Sequence, residues 1–301
     1  MGLGMPNNKP PKQLLPQFKV LRDQASIVAS IYSTHKALIA KGEKISTRVH
    51  MLTPLLSSII SNTNAIAMLV GSAHANESYI LIRALYERCL NYCYLVIAPE
   101  EDFKRWFEHS LQKSYRLLRK ELVVANFGFR LEMKGYEDIW NTPEVAELMQ
   151  KFQRRDSTKE KQEWSTVAKS RTDRIDWLSK AGKDMAWQPF VFVEAMFFDE
   201  ASEAIHGTFY GTVFHQGFFE PKFQEKSQLA DAHDPSSLIL ATTTLLLHTV
   251  IKGANLKVAN PEALAESKRL TRQAADILKK EISEIDTEEI EPSKRILKVD
   301  H

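Results

Sequence analysis

Four side chains stand out as the chemistry on offer in this 301-residue chain: Arg83, Glu87, Ser202 and His206. Arg83 and Glu87 are four residues apart, which puts them on one face of a helix. They lie in I-L-I-R-A-L-Y-E-R-C-L-N-Y-C-Y-L, a segment apolar on most sides, so a buried pair there needs further partners. Two readings stay open: a core ion pair that fixes helix packing, or a polar site inside a helical bundle. Ser202 and His206 repeat the spacing, and a hydroxyl and an imidazole one turn apart can act as nucleophile and base. Here too a core or capping histidine is the rival reading. Glu203-x-x-His206 matches half of a di-iron carboxylate pattern, but no second copy exists in the chain. Cys89 and Cys93 share a helical face, yet two thiols alone make a poor metal site. Neither a metal nor a cofactor is expected.

Basic and aromatic residues interleave between Lys104 and Lys134, with eight cations against three acids. Within that run Arg116, Arg119 and Lys120 form a stripe at helical spacing. The stripe reads either as a solvated helix face or as a surface for RNA or phosphate. No zinc finger, RNA-recognition motif, Walker loop, Rossmann loop or Gly-x-Ser-x-Gly elbow is present.

Helices must position these groups, because helix signals dominate the chain. Only 11 Gly and 12 Pro argue against an all-β or low-complexity protein, and most prolines fall at helix starts. Thr142-Pro143-Glu144 and Asn260-Pro261-Glu262 each join a cap, a proline and an acid. Caps and periodicity predict helices over about 17–41, 44–72, 76–97, 99–126, 143–156, 171–182, 188–210, 235–257 and 261–284. Gly42, Gly128 and Gly182 fall at expected helix ends, and Pro54 should kink the second helix or mark its true start. Phe190-Val191-Phe192-Val193 has a strand-like composition but continues into Glu194-Ala195-Met196 without a turn, so it reads as helix. The fold class expected is all-α: a multi-helix bundle with additional N- and C-terminal helices and no sheet larger than a hairpin.

Forty Lys plus Arg against 38 Asp plus Glu exclude a strongly basic nucleic-acid scaffold, and two Cys exclude a disulfide-built secreted domain. The start of the chain has no signal-peptide core, and the most apolar run, Leu238–Ile251, carries four threonines and His248. A buried core helix and a cytoplasmic location with no membrane partner follow as expectations. Residues 1–16 read as a loose segment, 17–284 as one helical domain and 285–301 as an acidic tail. The span 151–183, with ten cations and five acids, reads as a linker or exposed arm. Gly207 and Gly211 with the aromatic residues Phe209, Tyr210, Phe214, Phe218 and Phe219 make an apolar stretch that wants cover. A homodimer burying part of 205–219 is expected from it.

Residues 80–95, followed by P-E-E-D-F-K-R-W at 99–106, and F-F-D-E-A-S-E-A-I-H-G-T at 197–208 resemble two motif blocks of a bacterial helical family of unknown function. The blocks are an Arg-x-x-x-Glu helix and a Ser-x-x-x-His-Gly helix end, and the resemblance covers roughly residues 45–255. More distantly the chain resembles HEPN (higher eukaryotes and prokaryotes nucleotide-binding) bundles. Many of those are metal-independent ribonucleases of phage defence or toxin–antitoxin systems that dimerise across their active helices. The resemblance implies an HEPN-like core and RNA as a partner. The HEPN pattern of Arg, four to six residues, then His is missing before His206, and Arg105-x-x-x-His109 is one residue short of it. Arg83 would then have to supply the cation for His206 from a neighbouring helix. The function expected is an HEPN-like endoribonuclease or defence effector with His206, Arg83, Glu87 and Ser202 at its centre. The alternative is a non-catalytic helical interaction module in which those four form a structural network, and both versions require the two helices to pack together.

Overall fold

Helix starts and stops follow the capping chemistry. The computed structural model describes residues 12–42, 46–72, 74, 77–124, 127–140, 142–152, 165–181, 185–206 and 235–284. Helix α1 is Leu15–Ala40, preceded by a 3-10 turn at Lys12–Leu14 that buries Leu14, so the helical chain begins before residue 17. It ends at Gly42, whose φ of 67° lies in the left-handed region that glycine tolerates. Helix α2, Thr47–Gly71, starts at the Ser46 cap, which accepts from the Val49 N–H at 3.3 Å; Pro54 lies inside it. Helix α3 is Ser78–Ile97 and α4 is Glu100–Leu118. Next come β1, Arg119–Val124, and β2, Phe127–Glu132. Helices α5, Glu137–Trp140, α6, Pro143–Lys151, and α7, Arg171–Ala181, follow. Then α8, Gln188–Met196, and α9, Phe198–His206, precede α10, Ser236–Asn255, and α11, Pro261–Glu284. The described residues are mostly helical, and their one sheet is a two-stranded hairpin, as an all-α reading requires.

The chain forms two compact units, Met1–Tyr92 with Asp184–His301, and Cys93–Lys183; the boundary falls inside α3. In the first unit α10 is the core helix, packed against α1, α2, α8 and α11. Every residue from Ile239 to Ala254 is buried except Leu245 and Lys252. Three of the four threonines that interrupt its apolar run return their hydroxyls to the helix itself: Thr243 donates to the Ile239 carbonyl, Thr244 to that of Leu240 and Thr249 to that of Leu246, whereas Thr242 Oγ1 is buried without a partner. Both α2 and α10 are long and apolar enough to cross a membrane, but 78% of the α10 window is buried within the protein, as in a core helix, against 28% for α2. A polar bolt joins three helices: Gln24 of α1 donates to Ser267 Oγ of α11 at 2.6 Å, and His248 Nδ1 of α10 lies 2.7 Å from the same oxygen.

The second unit corrects three expectations. The helix expected over 99–126 stops at Leu118 and turns into the hairpin. Val123-Val124 and the period-two run Phe127-Gly128-Phe129-Arg130-Leu131 favour strand. The register sets Arg119 opposite Glu132 and Glu121 opposite Arg130. Gly128 therefore pairs with Val123 in the sheet and ends no helix. The span 165–181 is no exposed arm, since Ser165, Ala168, Ile175 and Leu178 are buried. In the first unit, the helix expected over 188–210 breaks at Phe197 into α8 and α9. Residues 207–219, with the apolar stretch expected at a dimer contact, and 285–301 lie outside the described residues.

Candidate functional site

The first unit brings α3 and α9 together, but not as a four-residue centre. The Arg83 guanidinium lies 4.2 Å above the centre of the Phe198 ring, and Arg83 Nε is 3.6 Å from Glu87 Oε1 on its own helix. Arg83 is 21% exposed and Glu87 46%, so the pair is half in water and adds under about 1 kcal/mol. Arg83 Nη1 is buried without a hydrogen-bond partner, which the face of Phe198 compensates in part. Ser202 is half-buried and His206 is exposed at the end of α9. Eight residues separate Phe198 from His206, about 12 Å of helix rise. No hydrogen bond joins His206 to Arg83 or Glu87. The expected contact of His206 with that pair is therefore not formed, although the expected packing of the two helices is.

Sequence reasoning overlooked the bond that holds this corner. Tyr86 is fully buried between Phe190, at 6.0 Å, and Phe198, at 6.1 Å, in edge-to-face contacts. Its hydroxyl donates to Glu194 Oε2 at 2.5 Å. The signal was an acid at 194 inside F-V-F-V-E-A-M-F-F, where a charge needs a partner.

In the second unit the best-satisfied polar group is Asp102, in the first turn of α4 and fully buried. Its Oδ2 accepts from Tyr94 Oη at 2.6 Å and from Ser165 Oγ. Its Oδ1 accepts from the Thr166 N–H at 2.8 Å and from Thr166 Oγ1 at 2.5 Å. Burial alone would raise this carboxyl's pKa, but the bonds from Ser165, Thr166 and Tyr94 outweigh it and bring it to about 2. Tyr94 is pushed up, first by burial and then by Asp102. The knot pins residues 165–168 to the start of α4. Ser165 is too buried to meet a substrate, so the knot is structural.

Helix α4 also carries a different surface. Arg105, His109, Lys113 and Arg116 follow at steps of four, four and three, one stripe along the helix. Three of them converge on buried Phe152, which follows α6. His109 meets its ring at 5.2 Å, Arg105 lies 5.5 Å over it, and Arg116 Nη2 donates to its carbonyl at 3.4 Å. Lys113 and Arg116 are exposed, Arg105 and His109 half-buried. Burial lowers the His109 pKa, and the charges of Lys113, Arg116 and Arg105 lower it further, which favours the neutral imidazole. The stripe expected from Arg116, Arg119 and Lys120 does not exist on one helix. Arg116 ends α4, whereas Arg119 and Lys120 begin β1.

Among the described residues no group of three His, Cys, Asp or Glu side chains is placed to hold a metal ion. Cys89 and Cys93 are buried thiols. Helical composition and the two motif blocks define the class: a helical protein of a family whose role is unassigned. The chain belongs to the family of unknown function DUF5677, whose model matches residues 49–223, a span that begins within α2 and takes in α3 to α9. No curated protein and no solved structure matches the chain.

Proposed function

We propose that the chain binds RNA through the cationic stripe of α4 and acts as a metal-independent ribonuclease of HEPN-like kind, in a defence or toxin setting. The observation that carries this reading is geometric: His109 lies in line with Arg105, Lys113 and Arg116 along one face of α4, of which Lys113 and Arg116 are exposed. Metal-free cleavage needs a base for the 2′-hydroxyl and cations for the phosphate. The depressed pKa favours the base-competent form of His109, with Lys113 and the N–H groups of Arg116 not given to the Phe152 carbonyl left for the backbone. The test is fluorescence anisotropy with a labelled single-stranded RNA across a salt series. Lys113→Ala with Arg116→Ala should weaken binding and flatten the salt slope by about 1.4, about 0.7 per lost phosphate contact. His109→Ala should abolish cleavage and keep binding, whereas His206→Ala should change neither. Salt-independent binding, or cleavage intact in His109→Ala, overturns the reading.

The second reading, a non-catalytic helical interaction module, is favoured by one observation: Arg83 and Tyr86 are spent on Phe198 and Glu194. In that case no RNA is bound, and Arg83 serves the packing of α3 against α9.

A further inference from the structure

A single-stranded RNA offers a protein two things to hold, its phosphates and the faces of its bases. The cations of α4 serve the first. The hairpin of the same unit has the groups for the second. Residues at steps of two on a strand share a face, so Phe127 and Phe129 stand on one side of β2, with Leu131 after them. Both rings are exposed, Phe127 at 68% and Phe129 at 47%. Two residues of strand rise about 6.8 Å, so the rings make two separate platforms. Lys120 is exposed, and the register sets it opposite Leu131, on the same side of the sheet. Arg130 and Glu132, at the alternate positions, pair with each other at 2.6 Å. The hairpin also grows out of the cationic helix. Strand β1 follows directly on Leu118, two residues after Arg116, and the Met133 N–H donates to the Leu118 carbonyl at 2.9 Å.

We infer that Phe127 and Phe129 are a stacking platform for unpaired bases of a single-stranded RNA, with Lys120 beside them for a phosphate. The inference rests on the RNA-binding reading of α4 and adds to it the substrate class, unpaired RNA. Charge selects this occupant. Residues 119–134 carry four cations and two acids, a net positive hairpin. An apolar partner laid on the two rings would cover Lys120 without a counter-charge, which is costly. A nucleotide satisfies both sides at once, because it joins a flat aromatic face to an anion. Every base has such a face, so two phenylalanines hold a strand without reading its sequence. A duplex keeps its base faces inside its own stack and gives the platform nothing to hold.

Fluorescence anisotropy of the full chain tests this with labelled oligomers of equal length: unpaired RNA, a duplex of the same sequence, and an abasic ribose–phosphate strand. Phe127→Ala with Phe129→Ala should weaken binding of unpaired RNA at least about tenfold, since each lost base stack is worth about fivefold or more. The salt slope should stay unchanged, because no phosphate contact is lost, as should the circular dichroism spectrum. The same variant should bind the duplex and the abasic strand as wild type does. Lys120→Ala should flatten the salt slope by about 0.7. Salt-dependent binding of unpaired RNA that the double phenylalanine variant matches to wild type overturns the platform and leaves the α4 reading standing. So does a wild type that binds the abasic strand as tightly as unpaired RNA. A chain that binds no RNA overturns both. A double variant that alters only the sedimentation mass of the RNA-free chain marks the row as a protein contact and overturns the platform as well.

Discussion

Replacing Asp102 probes the second unit where it is most committed. The carboxylate is fully buried and takes four hydrogen bonds, two on each oxygen. In Asp102→Asn one oxygen remains, and it must face Thr166, because a backbone N–H can only donate. The new NH₂ then faces Tyr94 and Ser165. The Tyr94 hydroxyl can rotate to accept, but Ser165 Oγ already accepts from the Ala168 N–H at 2.8 Å. Hydrogen bonds to a charged group are worth about 1.5–3 kcal/mol and neutral ones about 1, so losing the charge and straining one bond costs about 2 kcal/mol. Asp102→Ala strands every donor and costs about 4 kcal/mol. The same charge sets a pH dependence. With a folded pKa near 2 against an ordinary 3.8, its stabilisation is complete above pH 3.8 and fades as pH falls towards 2, about 2 kcal/mol in all. Urea unfolding read by tryptophan fluorescence measures the loss, since the Trp177 ring lies 6.4 Å from that of Tyr94. Amide exchange over 165–181 should accelerate in parallel. If both variants stay within about 0.5 kcal/mol of wild type, well below the cost of a stranded charged bond, the knot does not hold this unit.

A second acid limb belongs to the first unit. Burial, with Lys252 and Lys268, lowers His248 to about 4, so the unfolded chain binds the extra proton and stability falls between pH 6.5 and 4. The loss is about 3 kcal/mol, and urea midpoints across that window should show a shallower limb in His248→Gln than in wild type, with His35 and His109, which burial also lowers, keeping the remainder. Tyr86→Phe leaves the Glu194 carboxylate without its buried donor and should cost about 1–2 kcal/mol in the same unfolding assay. Arg83→Ala uncovers the Phe198 face and should cost about 1 kcal/mol, whereas His206→Ala, at an exposed helix end, should change the thermal midpoint by less than the error of the scan.

Local chemistry was the legible part of the fold. Ser46, Thr142 and Asn260 start α2, α6 and α11 with the side-chain bonds their types announce, and Asn260 Oδ1 accepts from the Ala263 N–H at 3.0 Å. What failed was the choice between two local preferences. Residues 119–132 carry leucines and charges that suit a helix, yet strand pairing places Glu121 opposite Arg130 and Leu122 opposite Phe129, residues nine and seven apart. A helical reading compares only neighbours three and four apart and misses them. The break at Phe197 is of the same kind. Its ring packs against Tyr79 at 5.3 Å, a residue more than a hundred positions earlier, and no pattern within 188–210 announces that.

The site residues show why spacing identifies a face but not a site. Phe198, Ser202 and His206 share one face of α9, and Arg83 and Glu87 share one face of α3. The two faces meet at Phe198, the first residue of α9, so each later residue along that helix is further from the contact. Burial falls in step, from Phe198, through half-buried Ser202, to exposed His206. The sequence carries the spacing but not the end at which the helices touch, and that end decides which polar groups become neighbours. Tyr86 and Glu194 are neighbours for the same reason: α8 and α9 pack together, which brings Phe190, Glu194 and Phe198 to α3. On α4 the geometry works the other way. Arg105, His109, Lys113 and Arg116 lie on one helix without a break, so their spacing alone is enough to make them a surface, and Phe152 orients three of them. A cationic stripe on a single helix survives errors in topology that a two-helix centre does not. That is why the RNA-binding reading rests on His109 and its neighbours rather than on His206.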